Sequence, residues 1–320
     1  MALFLSEVDV QELLPMDRAI ECVEASFTAQ HNRSAVNHPR QRIFLSHLSF
    51  HYMAGALVEK ELVGMKVYTA GAGEVQFLVL LFDGDKGDLL AIIEADHLGR
   101  IRTGAASGVA TKYLARKNAS RVGLVGTGRQ ARTQLEAIAA VRKIEAAKVF
   151  SRDKDRRLEF CASMMRRLNL RIDPAESAEE AVRFGDIVVT ATSSRNPVVS
   201  GEWLQPGAHV NAIGANMANR REMDNAALNR ARLITVDAID QAHDEAGDLI
   251  QGLPAIGRSW DTVAEFHEVI TPGGPRRDSD EDITIFKSCG IAIWDVAVAG
   301  FAYREALRKG KGSVMRIWGK

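Results

Sequence analysis

Leu13-Leu14, Ala19-Ile20, Val23 and Phe27 recur at helical spacing and predict a helix over residues 10–31. Beyond His38-Pro39-Arg40-Gln41-Arg42 the pattern changes to alternation. Strands are expected over Ile43–Leu48, Leu62–Tyr68 and Val75–Phe82, with a turn at Asp83-Gly84-Asp85-Lys86-Gly87. Thr103–Ala115, rich in alanine and other small residues, predicts a closely packed helix. From Ser120 onward strands alternate with helices: strand Arg121–Val125, helix Arg132–Val141, strand Ala147–Phe150, helices Lys154–Leu168 and Ser177–Phe184, and strand Ile187–Ala191. Ser177 with Glu180 has the form of a capping box, and further strands are expected at His209–Ile213 and Leu233–Val236. This alternation predicts an α/β chain with a doubly wound parallel sheet of the Rossmann type. A last helix, Ser288–Arg308, is apolar enough to be buried, and Gly273-Gly274-Pro275-Arg276-Arg277-Asp278 reads as an exposed loop. The Rossmann unit does not need that last helix. The expected division is therefore 118–287 for the dinucleotide-binding domain, and 1–117 completed by 288–320 for a discontinuous α+β domain that binds substrate and dimerises.

Composition narrows the class. A chain of 320 residues favours two domains over one core. Lys plus Arg equals Asp plus Glu at 41 each, which argues against nucleic acid or a membrane surface as partner but leaves room for a local basic pocket. Cys22, Cys161 and Cys289 are odd in number and form no CxxC pair, so neither a disulfide framework nor a zinc site is expected, and a cytoplasmic setting fits. The N-terminal stretch meets acidic residues too early for a signal peptide, and no apolar run has the length of a membrane span.

Gly126-Thr127-Gly128-Arg129-Gln130-Ala131 stands between an expected strand and an expected helix, the setting in which GxGxxA binds a dinucleotide. Gly126 allows the tight turn, Gly128 lets the backbone approach the pyrophosphate, and Ala131 lets helix pack on sheet. The pyrophosphate would rest on the helix N-terminus, where N–H groups and dipole favour negative charge. At the end of the second strand, Ser151-Arg152-Asp153 bears on the choice between NAD(H) and NADP(H). Ser151 with Arg152 beside it leans towards NADP(H), while Asp153 keeps NAD(H) open.

These motifs, with Ile101-Arg102-Thr103-Gly104-Ala105-Ala106-Ser107, Pro206–Gly214 and Phe286-Lys287-Ser288-Cys289-Gly290, make the chain resemble the ornithine cyclodeaminase/mu-crystallin family over nearly its whole length. The resemblance implies a homodimer and hydride transfer at a carbon that bears nitrogen beside a carboxylate. It implies Arg40 and Arg102 as the carboxylate clamp, a task suited to the planar fork of arginine. It implies Lys66, in Gly64-Met65-Lys66-Val67-Tyr68, as the catalytic group that protonates or polarises the substrate nitrogen. Thr103, Thr127, Gln130, Thr192, Ser193 and Ser288 join the glycine loop on the cofactor side.

Two positions depart from the cyclodeaminase pattern. Asn216 stands where those enzymes carry an Asp, and an amide is no base at neutral pH. His51 stands where they carry a Glu that meets the substrate amine, so ornithine cyclisation is disfavoured. Arg42 lies two residues beyond Arg40, on the same face of a strand. Arg40, Arg42, His51, Lys66 and Arg102 together suit a dicarboxylate, which favours iminosuccinate reduced to aspartate. A cyclic ketimine, or pyruvate with ammonia, is the alternative, and a cofactor-dependent binding protein is the alternative of another class. Asp237, Asp240, His243, Asp244, Glu245 and Asp248 read as a solvated helix face, and no metal is assigned to them because hydride transfer needs none. Cys289, at the expected start of the last helix, reads as a packing residue.

Overall fold

The computed structural model describes residues 2–71 and 75–318. It divides into two compact units, one running to Ala105 and resuming at Gly290, the other spanning Ala106–Cys289. The first division falls inside helix Asp96–Leu114, and the second falls two residues after Lys287.

Among its described residues the first unit holds a seven-stranded sheet. Its order is Ser313–Met315, Ala2–Leu5, Leu89–Glu94, Gln76–Asp83, Leu62–Gly71, Leu48–Leu57 and Ala35–Phe44. Ala2–Leu5 runs parallel to Leu89–Glu94, and the other pairings are antiparallel. The register sets Met53, Lys66 and Val79 side by side on one face, and Tyr52, Val67 and Leu78 on the other. Against the sheet packs helix Ala292–Lys309, whose first N–H donates to Asn37 Oδ1 at 2.9 Å.

Several expected elements shift, each for a local reason. The helix over 10–31 is two helices, Glu7–Leu13 and Met16–His31, because Pro15 cannot continue the first and instead caps the second. The strand expected at Ile43–Leu48 straddles a hairpin turn: Ile43 and Phe44 end strand Ala35–Phe44, Leu48 opens strand Leu48–Leu57, and between them Leu45 N–H donates to Leu48 O at 2.8 Å. The last helix begins at Ala292 rather than Ser288, since Gly290 has φ +81° and Ile291 is extended. Cys289 therefore precedes the helix, buried, with its N–H on Asp237 Oδ2 at 2.8 Å.

The second unit carries an eight-stranded sheet, parallel throughout. Strands Arg121–Val125, Ala146–Phe150 and Arg171–Pro174 proceed to one edge, while Ile187–Thr190, His209–Ala212, Ile283–Lys287, Ala231–Val236 and Val263–Glu265 proceed to the other. Alternate residues of the central strands feed two separate cores. Val122, Leu124, Ile187 and Val189 pack with Leu135, Ile138, Phe160 and Met164, whereas Val125, Val188 and Val210 pack with Val182, Leu228 and Leu249. Near-continuous apolar strands are what a sheet covered on both faces requires. The chain is thus an α/β protein with a Rossmann-type sheet and a discontinuous α+β unit. Among the described residues no helix is long and apolar enough to cross a membrane.

Helix Asp96–Leu114 ends on carbonyls that arginine side chains satisfy. Arg142 Nη2 donates to Thr111 O, Lys112 O and Ala115 O at 2.9, 3.0 and 3.1 Å. Arg277 Nη2 donates to Leu114 O at 2.9 Å, so the loop expected to be exposed is anchored by this half-buried residue. Helix-end carbonyls left without donors are costly. Arg142→Ala is expected to lower unfolding stability by about 1–3 kcal/mol, read by urea denaturation.

Candidate active site

In the first unit three elements, strands Ala35–Phe44 and Leu62–Gly71 and helix Asp96–Leu114, bring their cations to one face. Strand Ala35–Phe44 is bulged between His38 and Gln41, which changes the parity of the alternation. Arg40 becomes buried and Arg42 half-buried, while Gln41 and Ile43 face out. Arg40 Nη2 donates to Gly290 O at 3.2 Å and lies 3.7 Å from Met53 Sδ. Lys66 projects from the centre of the sheet, 4% exposed, with Nζ 5.2 Å from the Phe77 ring centroid. Arg102, from helix Asp96–Leu114, lies against the Trp294 ring at 5.6 Å. Gly290 is what lets it lie there, since a Cβ at that residue would stand 2.5 Å from Arg102 Nη1.

A residue that sequence reading passed over organises this cluster. Asp295, in the first turn of helix Ala292–Lys309 and 1% exposed, places Oδ1 at 3.0 Å from Lys66 Nζ and 3.1 Å from Arg102 Nε. Its signal in the sequence was a lone acid inside the apolar run Ile291–Ala299. Burial pushes the Lys66 ammonium down to about 8, against the pull of Asp295 and with the help of the Arg102 and Arg40 charges. An amine poised there can hold or release a proton near neutral pH.

His51 does not add the positive charge expected of it. Burial first, then the charges of Arg42 and Arg40, hold its imidazole down to about 4. It is a neutral ring, stacked on Tyr68 at 4.4 Å with Nε2 2.7 Å from Ser49 Oγ.

In the second unit the glycine loop follows strand Arg121–Val125, beside strand Ile187–Thr190, where the strand order reverses direction. A doubly wound sheet opens a crevice for a ligand at such a point. Gly126 has φ +111°, and a Cβ there would come 2.5 Å from Ala191 O. Gly128 is exposed, and a Cβ there would meet nothing closer than 3.8 Å. Thr127 and Gln130 are half-buried, and buried Ala131 opens helix Ala131–Val141, whose first N–H groups lack a side-chain cap. The loop therefore presents open backbone at a helix N-terminus, a cradle that fits a pyrophosphate.

Ser151 and exposed Arg152 follow strand Ala146–Phe150. Ser151 Oγ donates to Asp153 O at 3.0 Å, and the Asp153 carboxylate caps the next helix by accepting from Arg156 N–H at 3.0 Å. Thr192 and exposed Ser193 follow strand Ile187–Thr190. Thr192 N–H and Oγ donate to Glu222 Oε1 at 2.7 and 2.8 Å, and Gly214 and Ala215 N–H donate to Glu222 Oε2 at 2.7 and 3.1 Å. Glu222, also unforeseen, is fully buried and ties together the loops that follow two neighbouring strands. Burial pushes its carboxyl up, opposed by nearby Lys287. Asn216 is half-buried in the second of these loops. Ser288 Oγ donates to Asp237 Oδ2 at 3.0 Å. Thr103 belongs to the first unit, where its Oγ donates to Gly99 O at 2.8 Å.

The acidic stretch read as a solvated face is partly internal. Asp237, Glu245 and Asp248 are buried, and Asp240, His243 and Asp244 are exposed. Asp248 Oδ1 accepts from Glu222 and Met223 N–H at 2.7 and 2.9 Å, while its Oδ2 lies 3.3 Å from Lys287 Nζ. Glu245 accepts from Gln241 Nε2 at 2.9 Å.

A doubly wound sheet with a glycine loop at its reversal point, in one chain with a buried Lys–Arg–Asp cluster, is the architecture of a dinucleotide-dependent oxidoreductase. The model of the ornithine cyclodeaminase/mu-crystallin family matches residues 1–310. The alanine dehydrogenase of Archaeoglobus fulgidus is 36% identical over 99% of this chain and 98% of its own length. Among solved structures, the Delta(1)-pyrroline-2-carboxylate reductase of Thermococcus litoralis in complex with NADH and L-proline superposes with a TM-score of 0.94 at 35% identity, covering 98% of this chain and 100% of that one. The iminosuccinate reductase of Paracoccus denitrificans in complex with NAD+ gives 0.92 at 28% identity, covering 99% of each chain. The chain belongs to the ornithine cyclodeaminase/mu-crystallin family, as its motifs implied, and is an oxidoreductase of it.

The state of His51 carries a prediction about stability. The unfolded chain binds a proton at His51 below the ordinary histidine range, whereas the folded chain binds it only below about 4. Between those values unfolding takes up a proton, so stability rises with pH through this window. His51→Gln should flatten that rise, measured by denaturation at pH 4.5 and 7. An unchanged slope would mean that His51 is protonated in the fold.

Proposed function

We propose that the protein reduces a small α-imino acid to the L-amino acid, with NAD(P)H supplying the hydride. The observation that carries this reading is Lys66, buried with its ammonium brought down to about 8 beside Asp295 and between two arginines. Arg40 and Arg102 take the α-carboxylate, for which paired guanidinium groups are suited. The Lys66 ammonium gives its proton to the imine nitrogen, which leaves the adjacent carbon open to hydride. Imino acid, NAD(P)H and one proton give amino acid and NAD(P)+, and Lys66 recovers its proton from solvent.

On the cofactor side Gly126, Thr127, Gly128, Gln130 and Ala131 hold the pyrophosphate, while Thr192, Ser193 and Ser288 serve the nicotinamide end. Asp153 is occupied as a helix cap, and Ser151 with Arg152 stands at the ribose position, which supports NADPH over NADH.

Iminosuccinate is the favoured substrate because the bulge turns Arg42 to the same face as Arg40, where a second carboxylate can meet it. One observation favours a cyclic ketimine instead. Neutral His51 stacked on Tyr68 gives an uncharged, flat wall, and the similar Thermococcus enzyme is named for a cyclic imine. Neither Asn216 nor His51 supplies the acid that ornithine cyclisation uses. The outer face of the first sheet, with Val63 39% and Leu78 37% exposed, supports pairing of two copies through that face.

The decisive measurement follows NADH and NADPH oxidation separately with iminosuccinate (oxaloacetate plus ammonia), Delta(1)-pyrroline-2-carboxylate, and pyruvate plus ammonia. Iminosuccinate is expected to be reduced fastest, with NADPH preferred. No turnover on any of the three would discard the reading. The rate should fall above a pH of about 8 as Lys66 loses its proton, and Lys66→Met should abolish turnover while cofactor binding survives. Arg42→Ala should raise KM for iminosuccinate about tenfold or more and leave pyruvate plus ammonia nearly unchanged. Equal losses would make Arg42 structural.

A further inference from the structure

The two oxygens of Asp295 are not used alike. Oδ1 receives both Lys66 Nζ and Arg102 Nε. Oδ2, buried with the rest of the side chain, accepts no hydrogen bond from any described residue. A purely structural carboxylate buried among cations is expected to have both oxygens satisfied, because a buried acceptor without a donor is costly. Here the donors have gathered on one oxygen and left the other for something else.

The charge surrounding this oxygen narrows what that partner can be. Arg40 comes from the strand Ala35–Phe44, Lys66 from Leu62–Gly71 and Arg102 from helix Asp96–Leu114, while His51 on Leu48–Leu57 is neutral. An imine that takes the Lys66 proton becomes an iminium beside the guanidinium groups of Arg40 and Arg102, and it meets repulsion unless an anion faces its N–H. Asp295 is the anion set against Lys66 and Arg102.

We propose that Asp295 divides its carboxylate between protein and substrate: Oδ1 fixes Lys66 and Arg102, and Oδ2 accepts the N–H of the substrate iminium and then of the product amine, which becomes the ammonium by taking a second proton from solvent. This rests on the imino-acid reading and deepens it. It makes Asp295 the residue that selects a C=N over a C=O substrate. A keto acid offers Oδ2 no donor and turns a carbonyl oxygen towards a carboxylate, so the free keto acid is refused where its imine is accepted. Asp295 also keeps Lys66 protonated, since an opposite charge within hydrogen-bond distance favours the ammonium.

The test compares the wild type with Asp295→Asn and Asp295→Glu. It reads the pH profile of imine reduction, and the binding of L-aspartate and of oxaloacetate to the enzyme loaded with NADP+. Asp295→Asn should move the alkaline limb of the profile down by about one to three pH units. It should also weaken L-aspartate at least about tenfold more than oxaloacetate, as loss of a charge-assisted hydrogen bond implies. Asp295→Glu keeps the charge but displaces the oxygens, so it should hold the limb near its wild-type position and lose the preference for the amine. That variant decides the matter if the amide variant does not fold. Folded variants with unmoved limb and equal losses for both ligands overturn the proposal. A wild type that reduces no imino acid overturns the parent reading and this one with it; an active wild type with indifferent variants overturns this one alone.

Discussion

Three cations, Arg40, Lys66 and Arg102, are drawn out of water into the first unit, and the carboxylate of Asp295 makes that arrangement tolerable. Removing a charge from water costs several kcal/mol even after relaxation, and one well-placed counter-ion with hydrogen bonds offsets much of it. The surrounding structure serves this placement. The bulge in strand Ala35–Phe44 turns Arg40 inward, the positive φ of Gly290 clears space for Arg102, and Asn37 fixes the first turn of the helix that carries Asp295. The geometry leaves Lys66 charged enough to give a proton and buried enough to release it.

The second unit solves a related problem with acids instead of cations. Loops at the ends of parallel strands are irregular backbone whose N–H groups need acceptors. Glu222 serves Thr192, Gly214 and Ala215; Asp248 serves Glu222 and Met223; Asp237 serves Ala238 and Cys289. Lys287, itself fully buried, lies beside Asp248 and donates to Ala212 and Ala215 carbonyls. Thr192 and Ser288, proposed for the cofactor side, are thus held by the buried carboxylates of Glu222 and Asp237. Such rigidity suits a cofactor that must present one face of a ring, since small displacements of a reacting group are costly in rate.

Much of this is legible in the order of residues alone. The period of apolar residues marks the alternating strands and helices of the second unit, because each of those elements buries a whole face locally. The glycine loop is legible because only glycine tolerates the backbone at Gly126. Arg40, Lys66 and Arg102 emerge through motif resemblance, not through pattern, since nothing local separates a buried cation from a surface one.

The failures share a cause. Ile43–Leu48 is apolar enough for one strand, yet the chain turns at 45–47 within it, because pairing of the two flanks across a hairpin outweighs the segment's own preference. His51 reads as one of a basic group suited to a dicarboxylate, and its neutrality arises from burial and from arginines that only the sheet register brings near. Asp295 lies 229 residues from Lys66 and 193 from Arg102, so no spacing rule could join them. Asp248 looks like a solvated acid, and Glu222 carries no signal of its own, for the same reason. The sequence by itself determined the periodic elements of the second unit and the tight turn of the glycine loop, because those depend on contacts within a few turns or strands. Only the tertiary structure decided which ionisable groups are buried, which partner each one has and what charge it carries, because desolvation and Coulomb energy depend on neighbours supplied from distant parts of the chain.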